Sequence, residues 1–162
     1  MDWILLILLF LHISGAILAF GPAYAFLFLG PMAAGEPEHR NFALRFQQRV
    51  ATTLVVPLAV FQGVTGVLLV WRISFELFTA LWLIVSIVLY LIALGIAFGV
   101  MLPALRTLVP ATAGAPPAPS AGSTPAGPPA HIVAIVRRAR LGGMINATLI
   151  LLIVFLMVTK PF

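Results

Sequence analysis

The sequence predicts an all-α integral membrane protein, a four-helix bundle with both termini outside. Composition is the first reason, because 62% of the 162 residues are hydrophobic and only 8% are charged, whereas a soluble domain carries about a quarter charged residues. The second reason is a set of four apolar stretches, each long enough for the roughly 20 residues that a helix needs to cross a bilayer. These stretches lack the two-residue alternation of a β-barrel, so helices are predicted. The composition excludes a soluble enzyme, a disordered tail and a nucleic-acid-binding module.

All four spans are expected within a single domain that comprises the whole chain. The first span carries no charge and is too long for the apolar core of a signal peptide, so it is predicted to stay in the protein. The expected boundaries of the four spans are residues 3–29, 50–71, 77–102 and 141–158.

The three connections between the spans differ in character. In the first, Pro31 and Pro37 break the chain, and the pattern from Asn41 to Arg49 is amphipathic, so span 2 is predicted to begin as an interfacial helix. The second connection is short. The third contains a Pro/Ala-rich stretch, residues 110–130, whose composition cannot bury a core and predicts a flexible linker. A second basic amphipathic segment, IVRRARLGG, follows this linker.

The distribution of basic residues predicts the orientation. Seven of the nine fall in connections 1 and 3, namely Arg40, Arg45, Arg49, Arg106, Arg137, Arg138 and Arg140. Only Arg72 and Lys160 fall on the other side. Because basic residues accumulate in cytoplasmic loops, connections 1 and 3 are predicted to be cytoplasmic. The expected location is a bacterial plasma membrane.

His12 is the main candidate for chemistry, since it is the one ionisable side chain well inside a predicted span. It lies about 13 Å below the outer surface at 1.5 Å per residue, where such groups are functional candidates by default. Three roles are open: a ligand of haem iron or another metal, a hydrogen bond between helices, and a proton relay. Gln62 and Ser86 are predicted at a similar depth, where they could orient the imidazole.

Other features support weaker hypotheses. His39 and His131 each precede a basic segment and could share a metal, although solvated interfacial histidines are more common. Two pairs of small residues, Gly15/Ala19 and Gly95/Gly99, have the spacing that permits close helix packing, within the bundle or between copies of the chain. Packing inside the bundle is the default expectation. There is no cysteine, so thiolate chemistry and disulfides are excluded.

Three segments resemble a known family. LHISGAILAFG around His12, VVPLAVFQGVTGVLLV in span 2 and the terminal LMVTKPF are similar to small four-helix bacterial membrane proteins described as a predicted integral membrane family of unknown function. That group looks related to the HemJ-type protoporphyrinogen oxidase and more loosely to the CopD copper-resistance domain. The resemblance implies a haem b site with His12 as the iron ligand. It also implies that Lys160, in the terminal LMVTKPF, is a second position that matches the family's motif, without a known role. The third span departs from the oxidase pattern, because it contains no histidine.

Several functions follow as hypotheses. The first is a multi-pass membrane protein of unknown activity that binds haem b through His12. The second is a non-catalytic accessory subunit of a larger respiratory or photosynthetic complex. A porphyrinogen oxidase is the third, and transport of a metal or small solute is the fourth. The expected partners are membrane lipid and either a second copy of the chain or a larger membrane complex, with no nucleic acid.

Overall fold

The computed structural model describes residues 2–73, 80–113 and 128–161, and every regular element in these ranges is helical. The described ranges contain six α-helices, in chain order α1 Trp3–Gly35, α2 Arg40–Val50, α3 Val56–Arg72, α4 Leu81–Ile96, α5 Leu102–Thr112 and α6 Ala130–Thr159. A short 3-10 turn, Pro37–His39, precedes α2, and π-helical segments join α2 to α3 and α4 to α5.

These helices form four membrane-length spans: span 1 Trp3–Gly35, span 2 Pro37–Arg72, span 3 Leu81–Thr112 and span 4 Ala130–Thr159. The prediction of an all-helical protein with four spans is therefore confirmed. Span 2 also begins as the predicted amphipathic helix, α2, and continues without a break. Each described span extends beyond its expected boundary at one end or both. In the third connection, α5 reaches Thr112, α6 starts at Ala130, and residues 114–127 of the predicted linker lie outside the described residues.

Proline explains the two π-helical segments. Ala51–Val55 lies two residues before Pro57, and Ala97–Met101 lies two residues before Pro103. A proline ring inside a helix clashes with the carbonyl four residues earlier and cannot donate the usual hydrogen bond. A wider turn relieves both problems and bends the helix locally. Spans 2 and 3 therefore cross the bundle as continuous but irregular helices.

Small side chains bring the spans together. α1 packs chiefly against α3, α4 against α6, and α2 against α5. Nearly half of the buried apolar residues are alanines: Ala19, Ala43, Ala59, Ala80, Ala93, Ala104 and Ala147. In a bilayer the lipid is as apolar as the helix surface, so close backbone approach and hydrogen bonds drive association.

Polar side chains also connect neighbouring spans in the described part of the chain. Tyr24 in α1 donates to the Ala147 carbonyl of α6 at 3.1 Å, and Tyr90 in α4 donates to the Ala59 carbonyl of α3 at 2.6 Å. Asn41 in α2 donates to the Val109 carbonyl at 2.8 Å and to a threonine hydroxyl one turn away in α5. These bonds join the spans at different depths.

The two ends of the bundle differ in charge. Asp2 forms an ion pair with Arg72, and Lys160 lies over the Trp82 ring, 5.5 Å from its centroid. The opposite end, called here the basic end, carries the seven arginines of connections 1 and 3. This segregation agrees with the charge count from the sequence, while the assignment of the basic end to the cytoplasm stays a prediction.

Candidate functional site around His12

His12 contacts α3 through both nitrogens of its ring. Nδ1 lies 3.0 Å from the Thr65 hydroxyl oxygen, and Nε2 lies 3.0 Å from the Gln62 side-chain nitrogen. Gln62 and Thr65 are 8% and 2% exposed, and residues three apart share one helix face. The three side chains, called here the His12 cluster, join α1 to α3 inside the membrane region.

With the Gln62 amide in the described orientation, the hydrogen bonds favour one tautomer of His12. The Thr65 hydroxyl donates to a carbonyl of its own helix, Phe61 at 3.0 Å or Gln62 at 3.1 Å. The hydroxyl oxygen can then accept a hydrogen bond from the Nδ1–H of His12. Nε2 is left without a proton and accepts from the Gln62 amide, whose nitrogen can only donate. The arrangement is that of a neutral imidazole with both ring nitrogens satisfied.

Two glycines allow this close approach. A Cβ on Gly66 would lie 3.3 Å from Cε1 of His12, and a Cβ on Gly15 would lie 3.1 Å from Oε1 of Gln62. Both distances are shorter than ordinary van der Waals contact, so larger residues would push α1 and α3 apart. The predicted packing role of Gly15 and Ala19 agrees with this geometry, and Ala19 is fully buried.

One atom of the cluster has no partner. Gln62 Oε1 is buried and accepts no hydrogen bond from any residue that the structure describes. A buried unsatisfied acceptor costs about 1–3 kcal/mol. If the amide were rotated by half a turn, Oε1 would face Nε2 and could accept a hydrogen bond from an Nε2–H. The cluster could then hold a protonated ring between two oxygen acceptors, those of Gln62 and Thr65.

The described arrangement does not fit haem ligation by His12. Iron needs a ring nitrogen without another partner, and both are engaged here, while the Cε1 edge lies against Gly66. A central cavity of about 40 Å³ is lined by Tyr90 and Asn146 among others, and His12 does not line it. Cofactor pockets typically enclose roughly 300–1,000 Å³. A haem would require the Gln62 amide to leave Nε2 and the helices to separate.

The remaining predicted site residues lie elsewhere. The Ser86 hydroxyl donates to the Trp82 carbonyl of its own helix at 2.7 Å instead of approaching His12. Lys160 ends α6 in a left-handed conformation, φ 44°, and within the described chain it has no hydrogen bond to His12 or Gln62. Gly95 and Gly99 face open space, with no atom within 4 Å of a Cβ placed on either, so the expectation that this pair packs inside the bundle is wrong.

The two other histidines lie at the basic end. His39 is 3.5 Å from Glu38 and 4.0 Å from Glu36, and its side chain is largely exposed. His131 is exposed in the first turn of α6. Within residues 2–73, 80–113 and 128–161, no three His, Asp or Glu side chains converge in a way that could hold a metal ion.

Four apolar spans joined by sparse polar contacts define the class of this chain, a multi-pass helical membrane protein. It matches the model of the family described as "Predicted integral membrane protein (DUF2269)" over residues 6–161, and it belongs to that family. No curated protein and no solved structure matches the chain. The relation to the HemJ-type oxidase and the CopD domain therefore stays a prediction.

Proposed function

We propose that this protein is a non-catalytic subunit of a larger membrane complex, and that its intramembrane histidine joins two helices instead of binding a cofactor. The observation that carries the proposal is the engagement of both His12 ring nitrogens, by Thr65 and by Gln62. A ligand or a proton donor for a substrate needs at least one nitrogen that is free to react.

The positions of the other ionisable groups support the same conclusion. The chain has four acidic residues, and Asp2, Glu36 and Glu38 lie at span ends, while Glu76 falls in the predicted second connection. General acid–base catalysis and proton-coupled transport use acidic or basic groups held within the protein. In this chain the buried polar groups instead donate to carbonyls or to one another, as expected of side chains that hold helices together.

Haem b ligation through His12 is the second candidate, with Gln62 orienting the ring and Lys160 at the outer end of the bundle. This candidate rests on the resemblance of three segments of the chain to a group that looks related to the HemJ-type oxidase. A haem bound there would bring redox chemistry of the kind that a porphyrinogen oxidase requires. The Gln62 amide would first have to release Nε2.

Purification in a mild detergent separates the two candidates. A subunit should migrate with a larger complex on a native gel. The same chain, overproduced and purified away from that complex, should lack a Soret band even after growth with a haem precursor. A Soret band that His12→Ala abolishes and His39→Ala preserves would establish the haem candidate instead. A chain that migrates as an isolated bundle in every mild detergent would contradict the subunit role.

A further inference from the structure

A groove between α5 and α6 opens at the basic end of the bundle. It encloses about 220 Å³, and none of the residues that line it belongs to the His12 cluster. The α5 side and the preceding π-helical segment contribute Gly99, Val100, Pro103 and Thr107, and α6 contributes Ile135 and Arg138.

The groove has an apolar floor and one charged side chain, Arg138. Side chains on a helix lean toward its N-terminus, and α6 starts at the basic end, so the Arg138 side chain is directed toward that end of the groove. Gly99 has no atom within 4 Å of where its Cβ would lie, so the bare backbone forms part of the floor. From Gly99 to Thr107 the groove follows the helix for about 12 Å, at 1.5 Å per residue. Ile135 and Arg138 are three residues apart and share one face of α6. An elongated apolar group with an anion at one end matches this layout.

Charge favours a phosphate at that end. Arg138 is exposed and makes no ion pair with any residue in the described ranges. Its guanidinium presents several N–H donors in a plane, a geometry that suits two oxygens of one phosphate. Arg106, Arg137 and Arg140 lie on the same two helices and add to the positive potential of this end.

We propose that this groove binds one anionic phospholipid, with its phosphate at Arg138 and one acyl chain along the floor from Thr107 to Gly99. Basic pockets between membrane helices are sites of anionic lipid headgroups. A second copy of the chain fits less well, because a two-fold interface uses the same patch on both copies. Such an interface would place the Arg138 guanidinium of each copy within the buried patch, where its desolvation would cost free energy.

Native mass spectrometry of the detergent-purified full chain tests the site. Phosphatidylglycerol and phosphatidylcholine with identical acyl chains are titrated separately. We expect tighter binding of phosphatidylglycerol, and Arg138→Gln should weaken that binding about fivefold, as one basic residue contributes near an anionic surface. The matched control is Arg137→Gln, which removes the same charge from the neighbouring residue outside the groove and should have a smaller effect.

A second variant tests the acyl-chain part of the groove. Gly99→Leu should fill the floor and weaken binding of both lipids, and the open space at Gly99 means that the bundle should still fold. Equal effects of Arg137→Gln and Arg138→Gln would overturn the proposal in favour of diffuse surface charge. Full competition by glycerol phosphate would indicate a site for free anions. Dimers that Gly99→Leu abolishes would indicate that a second copy occupies the groove.

Discussion

Removing the Thr65 hydroxyl should destabilise the bundle only while His12 is present. In the wild type, Thr65→Val deletes the acceptor that lies 3.0 Å from Nδ1 and leaves the N–H of the half-buried His12 ring without that partner. Intramembrane hydrogen bonds measured by double-mutant cycles average about 0.6 kcal/mol and reach about 1.7 kcal/mol. Thr65 is 2% exposed and His12 lies within span 1, so water has little access to replace the lost bond. We expect a coupling free energy between these two residues of about 1 kcal/mol, within that range.

The assay is reversible unfolding in mixed micelles, followed by circular dichroism as the denaturing detergent fraction rises. Four proteins are compared: wild type, Thr65→Val, His12→Ala and the double variant. In the His12→Ala background, Thr65→Val should change the free energy of unfolding little, since the remaining hydroxyl bonds run only to its own helix.

Thr148→Val is the matched control for this cycle. Thr148 is an exposed threonine of α6 whose hydroxyl donates at 3.0 Å to the carbonyl four residues earlier in the same helix. Its replacement should have the same small effect with and without His12. If Thr65→Val costs as much in the His12→Ala background as in the wild type, the two side chains are not coupled and the proposed cluster is refuted.

Three further predictions concern packing and orientation. Gly66→Ala should lower the free energy of unfolding by about 1 kcal/mol, because overpacking outweighs the gain in helix propensity. Gly95→Ala should be neutral or stabilising by up to about 1 kcal/mol. If Gly95→Ala is the more destabilising variant in the same unfolding assay, the described packing of these two glycines is wrong. Asn41→Ala should loosen α2 from α5, seen as faster amide hydrogen exchange in α2, and unchanged exchange would show that its two bonds contribute nothing. The chain has no native cysteine, so single cysteines can report the topology. Lys160→Cys should react with an impermeant maleimide on intact cells, and His131→Cys should not. The reverse pattern would show that the predicted topology is inverted.

The sequence predicted the spans and the depth of the candidate residues, because both follow from hydropathy and the fixed rise of a helix. Gln62 was expected near His12 on that basis, and the two side chains are 3.0 Å apart. The second partner, Thr65, was missed. Its signal was the spacing in QGVTG, which places Gln62, Thr65 and Gly66 on one helix face.

The expectations for Gly95/Gly99 and for Ser86 differ from the structure because the sequence does not show how each helix is rotated about its own axis. Gly15/Ala19 and Gly95/Gly99 have the same spacing, yet only the first pair faces a neighbouring helix. Ser86 has the right depth to approach His12, but a serine inside a helix can bond to a carbonyl of its own preceding turn, and Ser86 does so. Depth is encoded locally, whereas the direction of a side chain depends on how all four spans pack.

The protonation of the His12 ring tests the central claim most directly. With His39 and His131 replaced by Gln, solid-state NMR of isotope-labelled protein in lipid bilayers would observe the His12 nitrogens alone. The hydrogen-bond pattern predicts a neutral ring at neutral pH, with the proton on Nδ1, a through-space contact from Nδ1 to the Thr65 side chain and another from Nε2 to the Gln62 amide. An Nε2 that is bound to iron, or that shows no contact with Gln62, would contradict the role of His12 as the residue that joins α1 to α3.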